Sequence, residues 1–459
     1  MPIVGNFETS YMRTIPRLSF ILIIFLSPLF WKWTGGAAFA QRDSVKLPFA
    51  IADEKKLSDE DIAHKKEGAY VTAIPQFSSD PVNGFGYGVE GELYFNGKRT
   101  DPFFNYTPYK AKVTLAAFNT TKSQNEIVLG IDLPYLFKSK WRARMEGVYE
   151  NDPNMLYFGV SEKSLGTLVN PQTGVSYSNY SDYKKSLTGN AKNYNRYNQI
   201  NNIELNVSAE RSFFKSKMRS VFGIRYANLG SYPYAGVSLL QNDYASGAIR
   251  GVGRTEVLLL QAGLVYDTRD LESDPGKGVF AEVTDEVSLK AWGSQYTLNK
   301  VFAQIKLYQR LFPTVFKKMI LAIRGGIAGL NGNAPFYEYQ QEWSSEGGVY
   351  DVIGGRFTLR GYKESRFVAN YLDFVNIELR TRFAQFVILK QHLALSAVPF
   401  FDIGGVGNNP SHLFGYSANY RYDEGLGLRI AWNVNTVLRF DYAISKEDSQ
   451  FFFQFGHAF

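Results

Sequence analysis

The chain ends Gln450-Phe451-Phe452-Phe453-Gln454-Phe455-Gly456-His457-Ala458-Phe459. Phe451, Phe453, Phe455 and Phe459 fall on one side of an extended backbone, because side chains along a strand alternate between two faces. A buried strand in a soluble protein rarely runs to the final residue with four Phe on one face. A strand whose outer face meets hydrocarbon needs that pattern. The stretch before it has the same period: in residues 436–442, Leu438, Phe440 and Tyr442 oppose Arg439 and Asp441. Further back, Val301, Ala303, Ile305 and Leu307 oppose Gln304 and Lys306. One face is built for an apolar phase and the other for water.

Sixteen segments of this kind can be drawn, from 69–77 and 84–96 through 200–211 and 373–383 to 434–443 and 450–459. The connections between them alternate in length. Long ones span 151–199, 229–256, 331–372 and 404–423, whereas short ones span 135–140, 312–318 and 432–433. A soluble sandwich has no reason to gather its long loops at one end, but an up-and-down barrel in an outer membrane does. The barrel must close on itself, since an open sheet edge in lipid leaves backbone groups unpaired at several kcal/mol each. The expected fold is therefore all-β: a 16-stranded antiparallel transmembrane β-barrel over residues 69–459, whose first segment pairs with the last.

Composition agrees once the periodicity is known. The 459 residues contain 36 Phe, 30 Tyr and 6 Trp but no Cys, and the mean hydropathy is −0.21. The missing cysteines exclude disulfide scaffolds, thiol nucleophiles and Cys-ligated metals. Negative mean hydropathy argues against a bundle of spanning helices, yet not against strands that present apolar residues only on alternate positions. The net charge of +7 is interspersed, without a basic block, so nucleic acid is not an expected partner. Membrane lipid is.

The amino terminus reads as an export signal. Arg13 and Arg17 precede an apolar run from Leu18 to Trp31, and Ala38-Phe39-Ala40 offers small residues two apart. Residues 1–40 are expected to be a signal peptide. Residues 41–68, rich in charge, would form a short periplasmic tail or plug; Ser58 with Asp61 three residues later resembles the cap of a short helix between Ser58 and Glu67, and a solvated charged run without fixed structure is the alternative.

Four motifs stand out within the barrel segments and their loops: Gly354-Gly355-Arg356-Phe357-Thr358-Leu359-Arg360-Gly361-Tyr362, Phe400-Phe401-Asp402-Ile403-Gly404-Gly405, Tyr266-Asp267-Thr268-Arg269-Asp270 and Pro275-Gly276-Lys277-Gly278. Together they resemble the BamA/TamA-type barrels of the outer-membrane assembly and two-partner-secretion superfamily. The resemblance implies a loop folded back into the lumen, carrying Leu359, Arg360, Gly361 and Tyr362. Its Arg360 would pair with Asp402 of the wall motif Phe400-x-Asp402-x-Gly404. Asp267, Arg269, Asp270, Pro275 and Gly278 would form a periplasmic turn motif, and Phe455 and Phe459 the strand signal that assembly machinery reads. Independently, a long Gly-, Tyr- and Ser-rich loop needs an anchor, and a bidentate Arg–carboxylate contact can supply one.

The resemblance implies a bacterial outer-membrane protein acting in insertion or export of outer-membrane or surface proteins. Assembly factors of that family carry POTRA domains ahead of the barrel, and residues 41–68 are too few for one. A separate periplasmic or outer-membrane protein partner is therefore expected. The rival reading is a passive pore, or a structural scaffold subunit of a larger outer-membrane complex. No catalytic motif is present: Gly86-Tyr87-Gly88-Val89-Glu90-Gly91 matches a dinucleotide fingerprint only formally, because it lies within a strand. The histidines, His64, His392, His412 and His457, are dispersed, so no metal, no cofactor and no enzyme activity are expected. The loop 151–199, with eight Asn and six Tyr, reads as a solvated cover or a polar contact surface.

Overall fold

A computed structural model describes residues 46–80, 83–346, 348–388, 391–413, 415 and 420–459. The signal-peptide reading of residues 1–40 lies outside them. Sixteen strands form one antiparallel sheet in strict chain order. They are β1 (Gly68–Asp80), β2 (Gly84–Gly97), β3 (Ala111–Thr120), β4 (Asn125–Leu133), β5 (Trp141–Leu156) and β6 (Arg196–Phe213). Next come β7 (Met218–Pro233), β8 (Gly253–Asp267), β9 (Gly278–Ser288), β10 (Leu298–Arg310) and β11 (Met319–Gly332). The last five are β12 (Tyr371–Ile388), β13 (Gln391–Gly407), β14 (Tyr420–Trp432), β15 (Thr436–Ser445) and β16 (Ser449–Phe455). Several run past the segments read from periodicity, β12 by two residues before 373 and five after 383. Ladder bonds continue beyond the apolar band, where the alternation that betrays a strand relaxes.

The strands are inside out relative to a soluble protein. Val301, Ile305 and Leu307 are exposed, whereas Gln304 and Lys306 on the same strand are buried. Across the wall, Arg439 and Asp441 are fully buried beside an exposed Tyr442. An exposed apolar belt with charges inside is stable only if hydrocarbon surrounds the belt. Among the described residues no helix is long and apolar enough to cross a membrane.

Two features differ from expectation, and both concern the ends of the sheet. Among the described residues, β1 and β16 share no ladder, so the cylinder has a seam where the first and last strands meet. Pro75 in β1 lacks the amide hydrogen a ladder needs. On the lumen side, the Asn435 side chain donates to the Tyr70 hydroxyl at 2.5 Å, tying β1 to the β14–β15 turn. The final strand also stops early. Phe451 remains 63% exposed, but Gly456 takes φ 77° and the chain turns inward, leaving Phe459 buried with Tyr308, Ile320 and Ala458. Phe459 therefore does not share the outer face of Phe451, Phe453 and Phe455. Its carbonyl accepts from Arg380 at 2.8 Å, and the guanidinium groups of Arg324 and Arg380 lie 5.1 and 5.2 Å from its ring centroid.

The N-terminal segment crosses the short-turn mouth. Helix α1 (Asp59–His64) starts at Ser58, whose hydroxyl accepts from the Asp61 amide at 3.1 Å. It ends before Glu67 because Lys65 turns inward, donating to the Phe104 and Thr107 carbonyls at 2.5 and 2.6 Å. Leu57 packs with Leu271 and Val434, and the Ala52 amide bonds the Lys215 carbonyl at 2.8 Å. At the opposite end, loop 157–195 carries a small core of its own, with Tyr180 and Tyr183 buried with Phe158, Leu168 and Leu187 in an apolar cluster.

Candidate functional site

The lumen holds a folded-in loop, residues 352–370, between β11 and β12. Its entry is a tight corner at Gly354 and Gly355, where the Thr358 hydroxyl donates to the Val352 carbonyl at 2.5 Å and accepts from the Gly354 amide at 3.1 Å. Leu359 and Ile353 then sit in an apolar cluster with Phe367, Phe374 and Val406. Gly404 on β13 leaves room for them: a Cβ there would lie 3.0 Å from Leu359 Cδ1 and 3.1 Å from Ile353 Cδ1.

This seating drives Arg360 straight at the wall. Its Nε and Nη2 reach Asp402 Oδ2 and Oδ1 at 2.8 and 2.9 Å, a two-pronged contact. Nη1 adds Glu378 at 2.8 Å and Asp441 at 2.9 Å. All four side chains are fully buried. The guanidinium also lies over Phe400, 3.5 Å from the ring centroid. The structure thus brings together Arg360, Asp402, Phe400 and Gly404, the residues of the two central motifs. Gly361 passes so close to the β14–β15 wall that a Cβ would stand 2.6 Å from that of Asp423. Tyr362 is buried edge-on against Phe367.

Several participants carry no motif signal. Glu378 and Asp441 come from β12 and β15, and Arg429 on β14 bridges them at 3.1 and 2.5 Å. Asn376 donates to both Asp402 and the Thr358 carbonyl at 2.7 Å. Gly425 is the floor under Phe400: a Cβ there would come within 2.2 Å of the ring and of the Tyr442 carbonyl. Each of these residues lies on a regular strand at an inward position, and inward polar residues occur on every strand. Only their height along the barrel selects them, and periodicity does not encode height. Gly425→Ala is expected to destabilise the barrel by about 1–3 kcal/mol, the usual cost of forcing extra volume into a packed site. A lower temperature for the heat-modifiable gel shift of the detergent-folded barrel is the measurement; an unchanged shift would mean that Phe400 can move freely.

The loop also holds the last hairpin. Arg366 contacts Glu447 at 2.6 and 2.9 Å, Lys363 contacts Asp448 at 3.2 Å, and Ser445 donates to the Gly361 carbonyl at 2.8 Å. Gln450 on β16 donates to the Tyr362 carbonyl. The strand that borders the seam is therefore fastened to the lumen loop.

The turn between β8 and β9 explains its motif locally. Asp270 Oδ1 accepts from the amides of Leu271, Gly276 and Lys277 at 3.0, 2.9 and 3.2 Å, closing the turn on itself. Gly278 has φ 111°, and a Cβ would meet the Thr268 carbonyl at 2.5 Å, so only glycine fits. Arg269 folds back on the buried Asp267 at 3.1 Å, which also receives Arg219 at 3.0 Å and Lys55 of the N-terminal segment at 3.2 Å. Pro275 borders a lumen cavity of ≈ 460 Å³ whose walls carry Glu90, Glu92, Lys112 and Glu146. The formal dinucleotide fingerprint at 86–91 lies within β2.

A family model described as the Omp85 superfamily domain matches residues 86–459, and one described as a domain of unknown function, DUF5982, matches residues 47–110. No curated protein matches the chain. Among solved structures, CdiB from Escherichia coli aligns with TM-score 0.51 and 10% identity over 84% of this chain and 62% of that one. BamA from Haemophilus ducreyi lacking POTRA domains 1–3 aligns with TM-score 0.49 and 15% identity over 85% of this chain and 70% of that one. At these identities the CdiB likeness speaks for the fold alone.

Proposed function

Because the chain belongs to the Omp85 superfamily, we propose that it is an outer-membrane barrel that inserts or exports outer-membrane or surface proteins. In this reading the long loops face outward and the short turns, with the N-terminal segment across them, face the periplasm. The observation that carries it is the seam. β1 and β16 meet without a ladder, and unpaired strand edges in hydrocarbon cost several kcal/mol per group. A client strand adding to either edge would satisfy those groups, as strand addition does at other exposed edges. The lumen loop grips the hairpin that ends in β16, so its seating and the opening of the seam are mechanically linked. A separate periplasmic protein would deliver the client to the short-turn mouth.

A passive pore fits less well, because loop 352–370 is latched inside the lumen and the N-terminal segment lies over one mouth. The test is depletion of the protein in its native cell, paired with affinity purification from outer membrane. Depletion is expected to lower the abundance of a defined set of other outer-membrane or surface proteins, and a periplasmic protein should copurify. If no other surface protein falls in amount and the barrel purifies alone, the assembly role is wrong.

A further inference from the structure

The fold brings two of the dispersed histidines face to face. His64, the last residue of α1, stacks on His392 at the start of β13, with ring centroids 4.0 Å apart and planes 14° from parallel. Glu60 stands one helical turn before His64, on the same face of α1. A ligand atom from each of Glu60, His64 and His392 lies within 4.8 Å of the other two. His392 is held rigidly by its backbone, which exchanges bonds with Asn433 at 3.0 and 2.8 Å. Its ring is not satisfied: Nε2 is shut from solvent and has no hydrogen-bond partner among the described residues. A buried polar atom left without a partner calls for an explanation, and a bound ion is one.

We propose that Glu60, His64 and His392 bind one divalent transition-metal ion of the zinc class, clipping the N-terminal segment to the barrel. Two imidazoles and a carboxylate form a donor set suited to such ions, whereas calcium and magnesium favour all-oxygen shells. Three protein ligands leave a position for water, and a cavity of ≈ 400 Å³ adjoins the three side chains. The nearby cation Arg382 does not forbid the site, because Asp274 takes it at 3.3 Å and Lys318 at 2.6 Å. Glu60 is exposed and can rotate to close the coordination sphere. Two ligands come from the segment and one from the wall, so the ion would hold the segment docked across the mouth. Metal affinity thereby becomes docking affinity.

The test uses the full chain, folded in detergent and stripped with EDTA. Zn²⁺ is titrated calorimetrically, and tryptic cleavage within residues 46–67 is timed with and without it. One equivalent should bind tightly, and His64→Ala and His392→Ala should each weaken it more than about 100-fold, beyond the 10–100-fold typical for loss of an outer-sphere partner. Zn²⁺ should slow cleavage in the unmodified protein and not in either variant. His64→Ala lies outside the barrel strands, so it keeps the test valid should His392→Ala fold poorly. Tight binding that both variants retain would assign the ion to other residues and overturn the proposal. Binding lost in the variants but without protection from trypsin would overturn the clip.

Discussion

Arg360→Ala should release residues 352–370 from the lumen, exposing them to protease and lowering the heat-denaturation temperature of the barrel more than any other single change in the loop. The reason is what the substitution leaves behind. Asp402, Glu378 and Asp441 stay fully buried and lose the guanidinium that contacts all three. Deleting one member of a buried ion pair typically costs about 3–5 kcal/mol, because the stranded charge has no water to turn to. Arg429 still reaches Glu378 and Asp441, so the loss should fall mainly on Asp402, which keeps the neutral Asn376 amide but no contact from Arg429. The sheet is held by its own ladders, and the damage should appear first as local opening of the loop. Arg360→Lys keeps the charge but not the fork, and should fall between the two. Asp402→Asn combined with Arg360→Ala should cost less than the sum of the single changes, the mark of a direct pair. Unchanged protease protection in Arg360→Ala would mean that the apolar seat of Leu359 suffices by itself.

The second large effect is on activity. A disulfide across the seam, with one cysteine placed within residues 71–77 and one within 450–455, should abolish delivery of client proteins while the barrel stays folded. The chain has no cysteine of its own, so any crosslink formed is the engineered one. Pairs must be scanned, since a disulfide forms only where Cα atoms lie about 4.4–6.8 Å apart. Reduction should restore activity in the same preparation, which separates locking from misfolding. Full activity in the oxidised protein would rule out sideways opening, and would leave the family assignment untouched.

The sixteen strands were legible because alternation is a local property. Each strand must present apolar residues to lipid and polar ones to the lumen regardless of its neighbours. The contact between Arg360 and Asp402 was legible only through motif resemblance. Glu378, Asp441, Arg429 and Gly425 were not legible at all, since each becomes part of the site through strand register, and register is set by pairing across the sheet. Phe459 was misplaced for a related reason: its spacing continues the lipid-facing row, but Gly456 breaks the strand, and Arg324 and Arg380 draw the terminal ring inside.

Loop 157–195 and the histidines show the same divide. Asn- and Tyr-rich composition suggests solvation, yet Tyr180 and Tyr183 find partners within the loop and bury themselves. His64 and His392 looked dispersed because sequence spacing measures distance along the chain. A barrel returns its N-terminal segment to the mouth where β13 begins. The sequence alone determined the class of the fold, the strand count and the polarity of each face, all of which follow from the phase that each face meets. Tertiary structure alone decided which inward charges meet, where the cylinder fails to close and which histidines touch, because those depend on strand height and register rather than on the order of residues.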